Sequence, residues 1–146
     1  MMLKIETLPQ LLRRHADATP ERLSQRHKQR GIWREYTFAE VERNVLELAL
    51  GLHHMGVQRG ATVAIIGENE PQHYWAEFAA HALGCKVVSL YPDLTADEVQ
   101  YLLEDSETVC LFAQDQEQVD KGLDVKGKLA LLRHVVYWDD TGMWSY

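Results

Sequence analysis

The chain has 146 residues and a formal net charge of −7, and 46% of its residues are hydrophobic. This composition is typical of a globular protein of one domain or less, and a chain of this length can bury a substantial core. The negative net charge argues against a nucleic-acid partner, because binding to phosphates requires a clustered basic surface.

The sequence shows no pattern typical of a membrane span or a signal peptide. No apolar run approaches the roughly 18 residues that a bilayer-spanning helix needs. Charged residues and a proline interrupt Leu3–Leu12, so this segment lacks the apolar centre of a signal peptide. The sequence therefore predicts a cytoplasmic protein with no transmembrane segment. Cys85 opens one apolar run and Cys110 lies within another. These positions favour reduced core thiols over a disulfide.

Residues 1–36 predict a helix followed by a β-hairpin. Thr7 is the expected N-cap, since a glutamine three residues later can complete a capping box, and the helix ends before Pro20. Two strand-like segments, Leu23–Lys28 and Ile32–Tyr36, flank a glycine-containing connection that suits a hairpin.

The basic residues that cluster lie between Arg22 and Arg34. They are interleaved with polar residues and with Gly31, as expected for the solvent-facing side of a hairpin. This interpretation is preferred, and an anion-binding site is the alternative.

Residues 37–138 predict alternating helices and strands. A capping box at Thr37–Glu40 begins a helix that Gly56 closes in the left-handed conformation. The later strands are expected at Thr62–Ile66, Lys86–Leu90 and Val109–Ala113. The later helices are expected at Pro71–Leu83, with Asn69 as N-cap, and at Ala96–Asp105, with Thr95 as N-cap. A short helix plus loop follows within Gln114–Gly127, and a final buried run lies at Leu129–Leu132 and His134–Trp138. This alternation predicts an α/β fold, with a parallel, Rossmann-like sheet of about four strands and helices on both faces. Residues 139–146 form a tail.

Side chains that could carry chemistry are scattered along the chain. His53 and His54 are adjacent on a helix and point about 100° apart, so they do not favour a shared metal ion. His73 and His81 are two helical turns apart, and we expect partner contacts or solvent exposure for them. The acidic groups lie at a helix end (Glu104, Asp105, Glu107) and in a turn (Asp139, Asp140), without the apolar surroundings that acid–base catalysis needs. No glycine-rich phosphate loop and no nucleophile elbow is present.

The loop Tyr91–Asp93 is the one loop that we expect to lie near a ligand. It follows the carboxyl end of a strand, where parallel α/β sheets usually bind ligands. The alternative is a turn that only begins the next helix.

The order of these elements resembles the opening of the adenylate-forming enzymes, a superfamily that includes acyl-CoA synthetases, peptide-synthetase adenylation domains and luciferases. The resemblance runs from about Thr7 to Tyr146 and rests on the joint order of several motifs. These motifs are Tyr36–Val41, Gly51–Val57, Gly60–Ile65, Asn69–Pro71, Ala79–Gly84, Leu90–Pro92 and Thr95–Ser106. Leu90–Asp93, Trp75–Ala80 and Arg30–Trp33 are most similar to the long-chain fatty-acid CoA ligases.

This resemblance implies an ATP-dependent ligase that joins a carboxylic acid to ATP, releases pyrophosphate and passes the acyl-adenylate to coenzyme A. It implies fatty acid, ATP, Mg and CoA for a full-length parent, with none of them bound to this fragment. We expect the chain to be an incomplete part of a larger N-terminal domain. We also expect the chain to end before the catalytic motifs begin. Accordingly, no catalytic, cofactor-binding or metal-binding residue is assigned.

Two alternatives remain open at this stage. One is a free-standing, non-enzymatic interaction module on the same scaffold. The other is a flavodoxin-like regulator, for which the loop Gly67–Asn69 is a poor phosphate site. An incomplete sheet also predicts a homo-oligomer, because unpaired strand edges and apolar helix faces seek partners.

Overall fold

The computed structural model describes residues 7–143, so Trp144 and Tyr146 of the expected tail lie outside the described residues. The elements are α1 (Leu8–Ala18), β1 (Leu23–Gln29), β2 (Ile32–Thr37), α2 (Phe38–His54), β3 (Thr62–Ile66), α3 (Pro71–Ala82), β4 (Lys86–Leu90), α4 (Ala96–Asp105), β5 (Thr108–Ala113), α5 (Gln116–Lys126) and β6 (His134–Tyr137). The expected α/β fold, with an N-terminal helix and hairpin, is confirmed.

The main sheet has four strands in the order β4-β3-β5-β6, and all of its pairings are parallel. β1 and β2 form a separate antiparallel hairpin. β1 extends to Gln29, so its turn contains only Arg30 and Gly31, with φ of 49° and 82°. Two successive residues at positive φ match the right-handed twist of a two-residue hairpin.

The sheet is covered on both faces, and alternate residues of β3 show which helices lie on each side. Val63 and Ile65 are buried with residues of α1, α2 and α3. Ala64 and Ile66 are buried with residues of α4 and α5. Since all four of these side chains are fully buried, β3 is the centre of the core.

Capping explains where three helices begin. Thr7, Thr37 and Thr95 each complete a reciprocal capping box, as the sequence predicts for all three. The prediction of Asn69 as the N-cap of α3 is wrong. The N-cap is Glu70, which makes no side-chain cap bond, and the helix begins on the proline that follows it.

The final apolar run is less buried than the sequence indicates. β6 is half-buried, because it is an edge strand with a neighbour on one side only. Before it, Leu129 and Leu132 are buried, but 46% of Leu131 is exposed. An unbroken apolar run does not distinguish a central strand from an edge strand.

Both cysteines are free and buried, as predicted. Burial is the main cause that raises the pKa of Cys110 to about 12, and the nearby Cys85 sulfur adds a smaller increase. Burial also raises the pKa of Cys85, whose Sγ donates to the Gln58 carbonyl at 3.4 Å. Both groups are therefore protonated thiols near neutral pH and serve as packing residues.

Candidate functional site

The carboxyl edge of the main sheet is the part of the fold where a ligand is expected. Four segments meet there, one after each parallel strand: residues 67–70, 91–95, 114–115 and 138–141. β4 and β5 lie on opposite sides of β3, so the topological switch point falls between β3 and β5.

The chain's own side chains fill this switch point. A Cβ added to Gly67 would lie 2.7 Å from Gln114 Cβ and 2.8 Å from Trp138 Cη2. The amide of Glu68 donates to Gln114 Oε1 at 2.6 Å. The backbone of Gln114 donates to the Ile66 carbonyl at 3.0 Å and accepts from the Asp139 amide at 2.8 Å. Among residues 7–143, these contacts leave no crevice between the ends of β3 and β5. The four segments at this edge contain one glycine, Gly67.

Beside the closed switch point lies a polar groove of about 360 Å³, here called the edge groove. Its lining includes Arg30 and Arg34 from the hairpin, Glu70 and Gln72 at the start of α3, and Asp139 and Asp140 after β6. The hairpin wall is cationic and the opposite wall is anionic. Such a groove suits ion pairs or a polar ligand of mixed charge.

Local hydrogen bonds occupy the acidic wall. The Thr141 amide donates to Asp139 Oδ1 at 2.9 Å. Hydrogen bonds from Thr141 lower the pKa of Asp139, and the charge of Arg30 lowers it further. Asp139 is therefore an ionised carboxylate near neutral pH and does not act as a general acid. The edge groove accordingly supports binding rather than proton transfer.

The prediction that His73 contacts a partner or solvent is wrong. His73 is 6% exposed, and its Nε2 lies 3.3 Å from Ser89 Oγ. Within residues 7–143 its Nδ1 has no hydrogen-bond partner, and neither does Gln72 Oε1. Burial lowers the pKa of His73, so the imidazole is neutral near pH 7. A helical position alone gave no signal of this burial.

The loop Tyr91–Asp93 is fixed to α5 rather than to the edge groove. The Pro92 carbonyl accepts from Lys121 Nζ at 2.6 Å and from Gln118 Nε2 at 3.2 Å. Tyr91 itself is 77% exposed. Its proposed contact with a ligand stays a prediction.

A second groove was missed in the sequence, because its lining comes from elements far apart in the chain. This apolar groove has a volume of about 350 Å³ and lies between α2, α3 and β6. Its lining includes Leu48, Trp75, Ala76, Phe112, Val136 and Tyr137. It runs alongside the edge strand, whose outer side pairs with no strand among the described residues.

Neither a metal site nor a membrane span is evident in the described part of the chain. Across residues 7–143, no three side chains of the His, Cys, Asp or Glu type are arranged to hold a metal ion. Over the same residues, every helix is too short or too polar to cross a bilayer.

Comparison with known proteins agrees with this fold. The model of the AMP-binding enzyme family matches residues 12–145. This chain therefore belongs to the AMP-binding enzyme family, as its motifs indicated, and the flavodoxin-like alternative is set aside.

Relatives in this family include CoA ligases. The chain is 33% identical over 106 residues to the long-chain-fatty-acid–CoA ligase FadD15 of Mycobacterium tuberculosis, a match that covers 73% of this chain and 18% of that protein. It is 29% identical over 117 residues to the 2-succinylbenzoate–CoA ligase of Bacillus anthracis, covering 80% of this chain and 23% of that protein. The chain thus spans about a fifth of the length of the relatives that it matches.

Solved structures show the same architecture. Acetoacetyl-CoA synthetase from Streptomyces lividans superimposes with a TM-score of 0.82 at 26% identity, covering 92% of this chain and 22% of that one. The N-terminal domain of FACL13 from Mycobacterium tuberculosis gives a TM-score of 0.83 at 18% identity, covering 92% and 34%. The chain has the fold of about one third of the N-terminal domain of FACL13.

Proposed function

We propose that residues 1–146 are the N-terminal part of the large domain of an ATP-dependent fatty-acid–CoA ligase. Such an enzyme joins the acid to ATP with release of pyrophosphate, and then passes the acyl group from the adenylate to the thiol of CoA. The family match along residues 12–145 is the observation that carries this proposal. Fatty acid, ATP, Mg and CoA are the ligands of the parent enzyme.

Within this proposal, the chain is a scaffold rather than the catalytic part. A nucleotide triphosphate needs a cradle of backbone amides, which usually comes from a glycine-rich loop. The four segments at the carboxyl edge contain one glycine, Gly67. The side chains of Gln114 and Trp138 occupy the space beside it. These residues do not fit ATP or Mg.

Titration of the isolated chain with ATP and Mg tests this assignment. We expect a dissociation constant no tighter than about 1 mM, because single ion pairs at an exposed surface contribute little. Pyrophosphate release with palmitate, ATP, Mg and CoA should be absent, with FadD15 of Mycobacterium tuberculosis as the positive control. A micromolar constant or pyrophosphate release by the chain would contradict the scaffold role.

A free-standing interaction module on the same scaffold is the second candidate. The apolar groove and the outer side of β6 favour it, since both could bind a partner. An immunoblot of native extract separates the two candidates. A band at the 16.8 kDa of this chain favours the module, and a band several-fold larger favours the ligase.

We also propose a cytoplasmic location. Two buried cysteines that remain unpaired are usual in a reducing compartment. Fractionation of native cells tests this, because a periplasmic or secreted protein would contradict it.

A further inference from the structure

The hairpin β1–β2 carries a concentration of positive charge on an acidic protein. Residues 22–35 contain five of the 15 Lys and Arg residues of the chain and one of its 22 acidic residues. All five basic side chains are exposed: Arg22, Arg26, Lys28, Arg30 and Arg34. Arg30 and Arg34 line the edge groove, whereas Arg22, Arg26 and Lys28 do not.

One face of the hairpin combines these charges with an aromatic ring. Lys28 lies directly opposite Trp33 in the strand register, and Arg26 lies opposite Glu35. Arg26 Cζ is 5.4 Å and Lys28 Nζ is 5.8 Å from the centroid of the Trp33 ring. Glu35 is the only acidic residue on this face, and it pairs with Arg26 at 3.0 Å. Here this surface is called the outer face.

The opposite face of the hairpin holds it against the body of the protein. Trp75 Nε1 donates to Gln25 Oε1 at 2.7 Å, and the Trp75 ring packs edge-on against Tyr36 at 5.0 Å. The outer face is therefore presented by a fixed element. Beside the turn, Trp33 on the outer face is 56% exposed, and its neighbour Ile32, which lines the edge groove on the other face, is 61% exposed.

We propose that the outer face and turn of the hairpin bind the headgroup region of a bilayer that contains anionic lipids. Lys and Arg attract anionic headgroups, and tryptophan prefers the interfacial region between water and hydrocarbon. Ile32 is not on the outer face, but it lies beside the turn and adds exposed apolar area at the tip of the hairpin. This inference rests on the hairpin alone and not on the proposed ligase activity.

The same observations argue against a nucleic acid as the occupant. Stacking of bases requires an accessible aromatic face, whereas Arg26 and Lys28 already lie over the Trp33 ring. Elsewhere the chain carries 21 of its 22 acidic residues, which repel an extended polyanion. A bilayer surface needs only the hairpin to approach.

Co-sedimentation of the 146-residue chain with vesicles tests this proposal. We expect binding to phosphatidylcholine vesicles that contain about 30 mol% phosphatidylserine, weakening as salt rises, and little binding to phosphatidylcholine alone. Lys28→Glu should reduce the partition coefficient by about tenfold or more, and Trp33→Ala should also reduce it. Equal binding of the chain to both vesicle types, or no binding to either, would overturn the proposal.

Matched variants elsewhere on the surface separate this role from general charge effects. Lys86→Glu changes an exposed cation at the start of β4, and Tyr101→Ala removes an exposed ring from α4. Both should bind vesicles like the unmodified chain, and circular dichroism checks that all four variants fold. Equal losses in Lys86→Glu and Lys28→Glu would overturn the assignment to the hairpin. Binding of poly(U) RNA at the affinity seen for the anionic vesicles would overturn the choice of a bilayer.

Discussion

Trp138 Nε1 donates a hydrogen bond of 3.0 Å to Glu70 Oε2, joining the end of β6 to the residue before α3. His27 Nε2 of the hairpin lies 3.6 Å from the other oxygen of the same carboxylate. One glutamate thus connects three elements that are distant in sequence. These elements form the edge groove, so its shape depends on Glu70.

Trp138→Phe tests the contribution of this hydrogen bond to stability. The indole donor is lost while most of the ring contact is kept, so we expect the free energy of unfolding to fall by about 1 to 2 kcal/mol. Urea denaturation measures it. Trp33→Phe is the matched control, because Trp33 is 56% exposed, and it should change the stability by less than about 0.5 kcal/mol. Equal effects of the two substitutions would show that the Glu70 contact contributes nothing specific.

Gly67→Ala tests the closed switch point. The new Cβ would lie within 2.9 Å of atoms of Gln114 and Trp138, at a φ of 154° that side chains rarely adopt. We expect a loss of about 2 to 4 kcal/mol in thermal or urea unfolding. Gly56→Ala is the control: φ is 84° and the added Cβ meets open space, so its cost should be about 1 to 2 kcal/mol. If Gly67→Ala cost no more than Gly56→Ala, the contact with Gln114 would be looser than described.

The local elements could be predicted from sequence, because their signals act over one helical turn. The capping boxes at Thr37 and Thr95 and the turn at Gly31 each depend on neighbouring residues only. The features that sequence reasoning missed depend on strand order. The burial of His73 beside Ser89 and the half-exposed state of β6 follow from which strand lies at which edge. Hydrophobic periodicity does not encode that order.

The edge groove illustrates the same limit for the site. Its cationic wall was visible as the cluster between Arg22 and Arg34, and its acidic wall as the pair Asp139 and Asp140. Nothing in the sequence placed these walls opposite each other, because a hairpin and a strand end about 100 residues apart form them. Tertiary packing alone brings the two together.

His73 should make stability fall as the solution becomes acidic. Burial lowers its pKa below the ordinary 6.5, so the unfolded chain binds a proton more readily than the folded chain. The stability from neutral His73 is present above that pH and is lost as pH falls through 6.5 towards the folded pKa. His73→Gln should therefore lose less stability than the unmodified chain between pH 7.5 and about 5.5.

Two points support attributing this pH dependence of stability to His73. The carboxyls of Glu40 and Glu98 have pKa values lowered below 4.5 by their capping hydrogen bonds, so they stay ionised throughout that range. His53→Gln, at an exposed position of α2, is the matched control for loss of a histidine and should change the stability at pH 7.5 by less than about 0.5 kcal/mol. Identical profiles for His73→Gln and the unmodified chain would mean that burial does not perturb His73.

We expect the isolated chain to self-associate through β6 and the apolar groove. The outer side of β6 pairs with no strand among residues 7–143, and half-exposed Tyr137 lies at the groove beside it. Sedimentation velocity over a hundredfold concentration range should show a dimer or larger species. Tyr137→Glu should shift the equilibrium towards monomer, whereas Tyr101→Glu on the far face should not. A monomer at every concentration would contradict this prediction.

Lys121 attaches the Tyr91–Asp93 loop to α5. Lys121 Nζ lies 2.6 Å from the Pro92 carbonyl and 2.8 Å from Glu117 Oε1, and its side chain is only 15% exposed. Lys121→Met keeps the aliphatic stem but removes the charged donor, so we expect a loss of about 1 to 2 kcal/mol and faster amide exchange at Leu94. Glu117→Gln removes only the exposed partner and should cost less than about 0.5 kcal/mol. Unchanged exchange in Lys121→Met would show that the loop is held by its own turn. Faster exchange would identify α5 as the element that positions Tyr91, whether or not that ring contacts a ligand.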